Sequence, residues 1–160
     1  MVTIMKIVVL LGTQNKPFHR LLEAIENSEF VLQHEVIIQS GYTSFNSTNF
    51  TSFDFCTQEE INHLINDADL LITHAGVGSI TNALKREKKV IVAPRLSKYK
   101  EMKNDHQLQI MEAFAKKGYV LPLIDFNQID DMVKISKNFI PNKYESNVKN
   151  VISCIEDFIN

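Results

Sequence analysis

The sequence predicts an α/β domain with a mainly parallel sheet. Three observations lead there. Short apolar runs alternate with amphipathic stretches along the chain. The first run, Ile4 to Leu11, is almost uninterrupted, as in a strand covered on both faces. The connections between runs carry glycine, proline or a capping residue where a helix would begin or stop.

Ile4 to Leu11 is the first strand. Pro17 opens a helix with Leu21, Leu22 and Ile25 at helical spacing. Glu35 to Gln39 reads as a second strand and Phe53 to Phe55 as a short third, separated by a polar loop at 42–51 rich in Ser, Thr and Asn. Thr57 caps the next helix, and Glu60 three residues on completes a capping box. Leu70 to Thr73 is the fourth strand, followed by a helix from about Ser79 to Arg86. Lys89 to Ala93 is the fifth, stopped by Pro94. A helix from Asp105 to Lys117 ends at Gly118, and Tyr119 to Leu121 is a last short strand. Helical patterns at 128–137 and 144–159 follow. The last carries Val148, Val151, Ile152, Ile155 and Phe158 on one stripe. That stripe either packs on its own sheet or docks a partner.

The 160 residues suit one domain around one core, and no internal repeat is present. A hydrophobic share of 44% with 22% charged residues is ordinary for a globular protein. The net charge of -2 gives no electrostatic case for broad nucleic-acid or anionic-membrane binding. Cys56 and Cys154 stand far apart in no metal-ligand spacing and read as reduced thiols of a cytosolic protein. No apolar run reaches the roughly 20 residues of a membrane span. The N-terminal run is short, contains Lys6 and lacks the pattern of a cleaved signal peptide.

In parallel α/β sheets ligands bind beyond the carboxyl ends of the strands, so the loops after strands one, four and five are the candidates. After strand four comes His74-Ala75-Gly76-Val77-Gly78-Ser79. Glycines let the backbone approach a ligand, and a helix N-terminus offers free N–H groups and partial positive charge. Together they make a phosphate cradle, with His74 and Ser79 as added donors. Read alone, the segment is equally a plain strand–turn–helix with Ser79 as N-cap and His74 as a structural histidine. The first loop, Gly12-Thr13-Gln14-Asn15-Lys16-Pro17, lacks the G-x-G-x-x-G fingerprint. Strand two ends at Gln39 instead of an acidic residue, which argues against a nicotinamide cofactor. The loop after strand five is long and polar, with His106 and Gln107 in the first turn of the next helix. A glutamine amide suits vicinal sugar hydroxyls. Asp105 as a simple N-cap is the other reading. Ser79 is not in a G-x-S-x-G elbow, and the five histidines form no H-x-x-x-H pair, which speaks against a serine hydrolase and a zinc site.

At these residues the chain resembles the C-terminal domain of glycosyltransferase family 28. The resemblance rests on His74 to Ser79, Pro94-Arg95 and Asn104-Asp105-His106-Gln107. It is strengthened by Gly12-Thr13, Pro17-Phe18, Arg20-Leu21-Leu22 and Gln39-Ser40-Gly41, and it covers Lys6 to about Tyr119. The chain looks most like the family's small stand-alone members. These are the donor-binding subunits of two-component glycosyltransferases in capsule or exopolysaccharide assembly and in dolichol-linked UDP-GlcNAc transfer.

The resemblance implies a single Rossmann-like domain over 1–160, equivalent to the C-terminal half of a GT-B glycosyltransferase. It implies inverting transfer of a hexose from a UDP-sugar, galactose or N-acetylglucosamine, with no metal and no cofactor. Gly12, Thr13, His74, Gly76, Gly78 and Ser79 are then expected at the donor diphosphate, and His106 and Gln107 at the donor sugar. Asn82 stands where many relatives carry a ribose-binding Glu, and a neutral amide binds hydroxyls without charge assistance. A membrane-anchored partner is expected to hold the lipid-linked acceptor and the general base, with His74 the one catalytic candidate in this chain. The expected location is cytoplasmic, at the membrane through that partner. The alternative is a non-catalytic activator of a transferase partner.

Overall fold

The computed structural model describes residues 3–145. Six parallel strands form one sheet in the order β3-β2-β1-β4-β5-β6. They are β1 (Lys6–Leu10), β2 (Glu35–Gln39), β3 (Thr51–Phe53), β4 (Leu70–His74), β5 (Val90–Ala93) and β6 (Leu121–Pro122). The chain runs outward from β1 to β3, then returns to place β4 on the other side of β1. Between β1 and β4 the winding reverses, which opens a crevice at the carboxyl ends of those strands.

Helices cover both faces. They are α1 (His19–Glu26), α2 (Phe30–Gln33), α3 (Gln58–Asp67), α4 (Val77–Lys85), α5 (His106–Lys116) and α6 (Ile129–Ser136). Side chains alternate across a strand, so β1 splits its residues between two cores. Ile7 and Val9 join Leu21, Leu22 and Ile25 of α1 and Val133 of α6. Val8 and Leu10 join Ile65 of α3, Ile80 and Leu84 of α4 and Phe114 of α5. Burying each such side chain contributes about 1.5–3 kcal/mol, and double coverage explains why β1, β4 and β5 are continuous apolar runs.

Several expected boundaries move. The third strand is Thr51–Phe53, because its ladder to β2 ends with Gln39 opposite Phe53. Pro17 does not begin the first helix; α1 starts at His19 with Phe18 at the N-cap. The short α2 had no signal in the periodicity. The last strand is only Leu121–Pro122, an edge where a proline's missing N–H is tolerated. The helix expected at 128–137 is a 3-10 turn, Phe126–Gln128, followed by α6. The capping box of α3 is present as expected: Thr57 Oγ1 accepts from Glu60 N at 3.1 Å, and Glu60 Oε2 accepts from Thr57 N at 2.8 Å. Beyond residue 145, the amphipathic helix expected over 144–159 lies outside the described residues. No helix among the described residues is long and apolar enough to cross a membrane.

Candidate functional site: a cleft at the sheet's switch point

A cleft of about 530 Å³ opens over the carboxyl ends of β1 and β4, a size suited to a small-molecule ligand. Gly12, Thr13 and Gln14 line it from the first loop, His74, Gly76, Gly78, Ser79 and Asn82 from β4 and α4. Phe55, Cys56, Gln58, Ile61 and Ile65 close its far side.

The start of α4 is the site's main electrostatic feature. Gly76 is extended at the N-cap position (φ -84°, ψ 127°), no side chain caps the helix, and its first turn holds no acidic residue. The backbone N–H groups of the first turn therefore stay free for a ligand, and the helix end carries partial positive charge. Ser79 was expected to be the cap. The helix instead begins two residues earlier, with Ile80 N donating to Gly76 O at 3.0 Å, and Ser79 sits inside the first turn. Ser79 is thus a further hydroxyl donor lining the cleft and not the helix N-cap.

His74 ends β4 and is only 7% exposed. Its ring lies between the two glycine loops. A Cβ on Gly12 would come within 2.5 Å of Nε2, and one on Gly76 within 2.8 Å. Both positions must therefore be glycine for the ring to sit there, and Gly12 also has φ +86°. Burial, then the nearby Arg95 guanidinium, push the imidazole down to about 4, so it is neutral at physiological pH.

Two buried glutamines hold the loops. Gln39, at the end of β2, accepts from Gly12 N through Oε1 at 3.1 Å. Its Nε2 donates to Gly12 O at 3.1 Å and Asp54 O at 3.0 Å. The peptide of Gly12 is clamped from both sides. Gln107 was expected at the donor sugar. It is 4% exposed, and its Oε1 accepts from Ala75 N at 3.1 Å and Arg95 N at 3.0 Å. Its Nε2 lies 3.2 Å from His74 Nδ1. The amide is turned into the protein because two backbone donors need its oxygen, so it braces the loops after β4 and β5. His106 does not line the cleft either.

Arg95 ties the first and fifth loops together. It is 1% exposed. Its guanidinium donates to Leu11 O and Lys16 O, each at 2.7 Å, and stacks on Phe18 at 4.8 Å. Beside it, Arg20 pairs with the buried Glu101 through Nε and Nη2 at 3.1 and 2.8 Å. Asn82 reaches the cleft, but its Nδ2 donates to Asn62 at 2.9 Å and its Oδ1 accepts from Arg86 at 2.9 Å. Only the remaining N–H and lone pair are left for a hydroxyl.

The structure brings Gly12, Thr13, His74, Gly76, Gly78, Ser79 and Asn82 together around one cleft, while His106 and Gln107 do not line it. The sequence reading used Gln39 against a nicotinamide and within the family resemblance but gave it no place at the site, and it did not single out Phe55 or Cys56. A polar residue ending an otherwise apolar strand was the available signal for Gln39. Among the described residues no group of three or more His, Cys, Asp or Glu side chains could hold a metal ion.

The chain is 29% identical to the UDP-N-acetylglucosamine transferase subunit ALG13 of Debaryomyces hansenii, over 67% of this chain and 53% of the relative. It is 16% identical to the glycotransferase of kitacinnamycin, with a TM-score of 0.62, covering 96% of this chain and 38% of that one. The solution structure of ALG13 matches at 19% identity and a TM-score of 0.56, over 90% of each chain. At these identities the structural likeness is one of fold. The chain spans between 9% and 53% of the length of the curated relatives it matches. The profile of the glycosyltransferase family 28 C-terminal domain matches residues 6–157, and the chain belongs to that family.

Proposed function

We propose that this chain binds a UDP-sugar in the cleft between β1 and β4 and serves as the donor half of a heteromeric, inverting, metal-independent glycosyltransferase. The observation that carries the reading is the uncapped N-terminus of α4 opening on a cleft beside His74 and two glycine loops. The diphosphate lies on the N–H groups of Val77, Gly78 and Ser79, with His74 and the first loop alongside. The base extends toward Phe55 and Cys56. The sugar is N-acetylglucosamine, the donor in the names of the ALG13 relatives.

Transfer is a direct displacement at the anomeric carbon. The bond from that carbon to the β-phosphate oxygen breaks as the acceptor oxygen attacks from the opposite face, and negative charge grows on the leaving UDP. Fixed donors aimed at that charge lower the barrier. A membrane-anchored partner on the cytoplasmic side supplies the lipid-linked saccharide acceptor and the base that takes its hydroxyl proton, in polysaccharide or glycan assembly.

Calorimetric titration of the purified chain with UDP, using ADP and NAD as controls, tests this. Selective UDP binding, even at sub-millimolar strength of about -5 kcal/mol, is the expected result. Failure of both the chain and its co-expressed complex to bind any nucleotide refutes it and leaves a non-catalytic activator.

A further inference from the structure

Gln107 has a role that follows from which atom of its amide faces which neighbour. The orientation of a side-chain amide is assigned from its partners. Here two backbone N–H groups, from Ala75 and Arg95, converge on one end. That end must be the oxygen, because a nitrogen there would set donor against donor. The other end, 3.2 Å from His74 Nδ1, is therefore the NH₂ group, which can only donate. Nδ1 must then present its lone pair, and the ring proton sits on Nε2. A hydrogen bond to a histidine ordinarily favours its charged form; with the amide fixed as donor, this one opposes a proton on Nδ1. Nε2 makes no hydrogen bond with the described residues and lies between Gly12 and Gly76 at the cleft.

We propose that Gln107 is a positioning residue that locks His74 in the neutral Nε2–H form, so that the ring presents a permanent donor to the cleft and has no lone pair there to act as a base. The part of this concerning ligand rests on the donor-site reading above; the part concerning the ring does not. A neutral Nε2–H donor keeps its character while the pH changes, unlike an imidazolium. Arg95, in the loop after β5, is the charged side chain acting on the ring, and the two glycine loops meet it with Gly12 and Gly76. The lock also binds the loops after β4 and β5 to each other, since one oxygen holds a backbone N–H of each.

The direct test is ¹⁵N NMR of the chain labelled in its histidine rings, with the His74 signals assigned by their loss in His74→Asn. The expected pattern is a protonated Nε2 and an unprotonated Nδ1, unchanged from about pH 8 to about pH 6. A proton on Nδ1, or an average of the two tautomers, overturns the proposal. In Gln107→Glu one carboxylate oxygen can still accept from Ala75 and Arg95, while the other can only accept from Nδ1. His74 in that variant should gain a proton on Nδ1. A folded Gln107→Glu chain that keeps the wild-type ring form also overturns the proposal; if the variant does not fold, the wild-type spectrum decides.

UDP-N-acetylglucosamine, whose diphosphate stays fully charged over this range, reads the consequence for binding. Wild-type affinity should be flat with pH. In Gln107→Glu it should fall at least about tenfold where the ring is neutral and recover as the ring becomes an imidazolium. A wild-type chain with the expected ring form that binds no UDP-sugar, alone or with its partner, removes the donor-site reading and leaves the role of Gln107 standing.

Discussion

Replacing Gly78 by alanine should strengthen the fold and weaken nucleotide binding at once. Gly78 is the second residue of α4, and a Cβ there would meet nothing within 4 Å. Its φ is not positive, so alanine fits the backbone. Removing the glycine's extra freedom in the unfolded chain stabilises a helix by about 0.5–1 kcal/mol. For a domain of this size 1 kcal/mol raises Tm by about 2–4 °C. The empty space, however, is the cleft itself. A methyl group there keeps a phosphate from closing on the N–H groups of the first turn. Each charge-assisted hydrogen bond lost costs about 1.5–3 kcal/mol, or roughly ten- to a hundredfold in affinity. Gly76→Ala is the contrast: its Cβ would run into the His74 ring, so that variant should lose stability as well. Thermal melting and UDP calorimetry on the same preparations read both effects. Wild-type UDP affinity in Gly78→Ala would refute the placement of the phosphate on α4, and a lower Tm would refute the account of the helix start.

Stability should also respond to acid through His74. The folded ring is held at about 4 against an ordinary 6.5, so between those values the unfolded chain binds more protons. Stability therefore falls as pH drops from 6.5 to about 4, by on the order of 3 kcal/mol, and this contribution levels off below. His34, also lowered by burial and then by Lys137, acts in the same direction. Denaturant melts across this range should show a shallower slope in His74→Asn, and an unchanged slope would contradict the assignment. Gln39→Leu leaves the Gly12 peptide without its clamp and should cost about 1–3 kcal/mol while loosening the first loop. Melting and UDP titration check both, and a variant as stable as the wild type would show that the clamp does not hold the loop.

The legible parts of the fold were those decided locally. β1, β4 and β5 are buried on both faces, so their apolar runs announce them. Thr57 and Glu60 satisfy each other within three residues, and the capping box was readable to the atom. The start of α4 was not. Ser79 is a preferred capping residue, yet the extended Gly76 takes the cap position and leaves the helix end open. Local preference favours a capped helix; a ligand site needs an uncapped one.

The glycines and His74 were legible as a site because backbone approach and strand-end position are written in one short segment. The roles of Gln39, Gln107 and Arg95 were not, because their partners are distant in sequence. Gln39 meets Gly12 across 27 residues, Gln107 meets Ala75 across 32, and Arg95 meets Leu11 across 84. The amino-acid sequence by itself determined the alternation of strands and helices, the glycine loops at the strand ends and the family. Only the tertiary structure decided that Gln107 faces inward, that Asn82 is partly engaged, and which nitrogen of His74 faces the cleft. Those depend on which hydrogen-bonding groups converge in space, and convergence exists only once the sheet has wound both ways from β1.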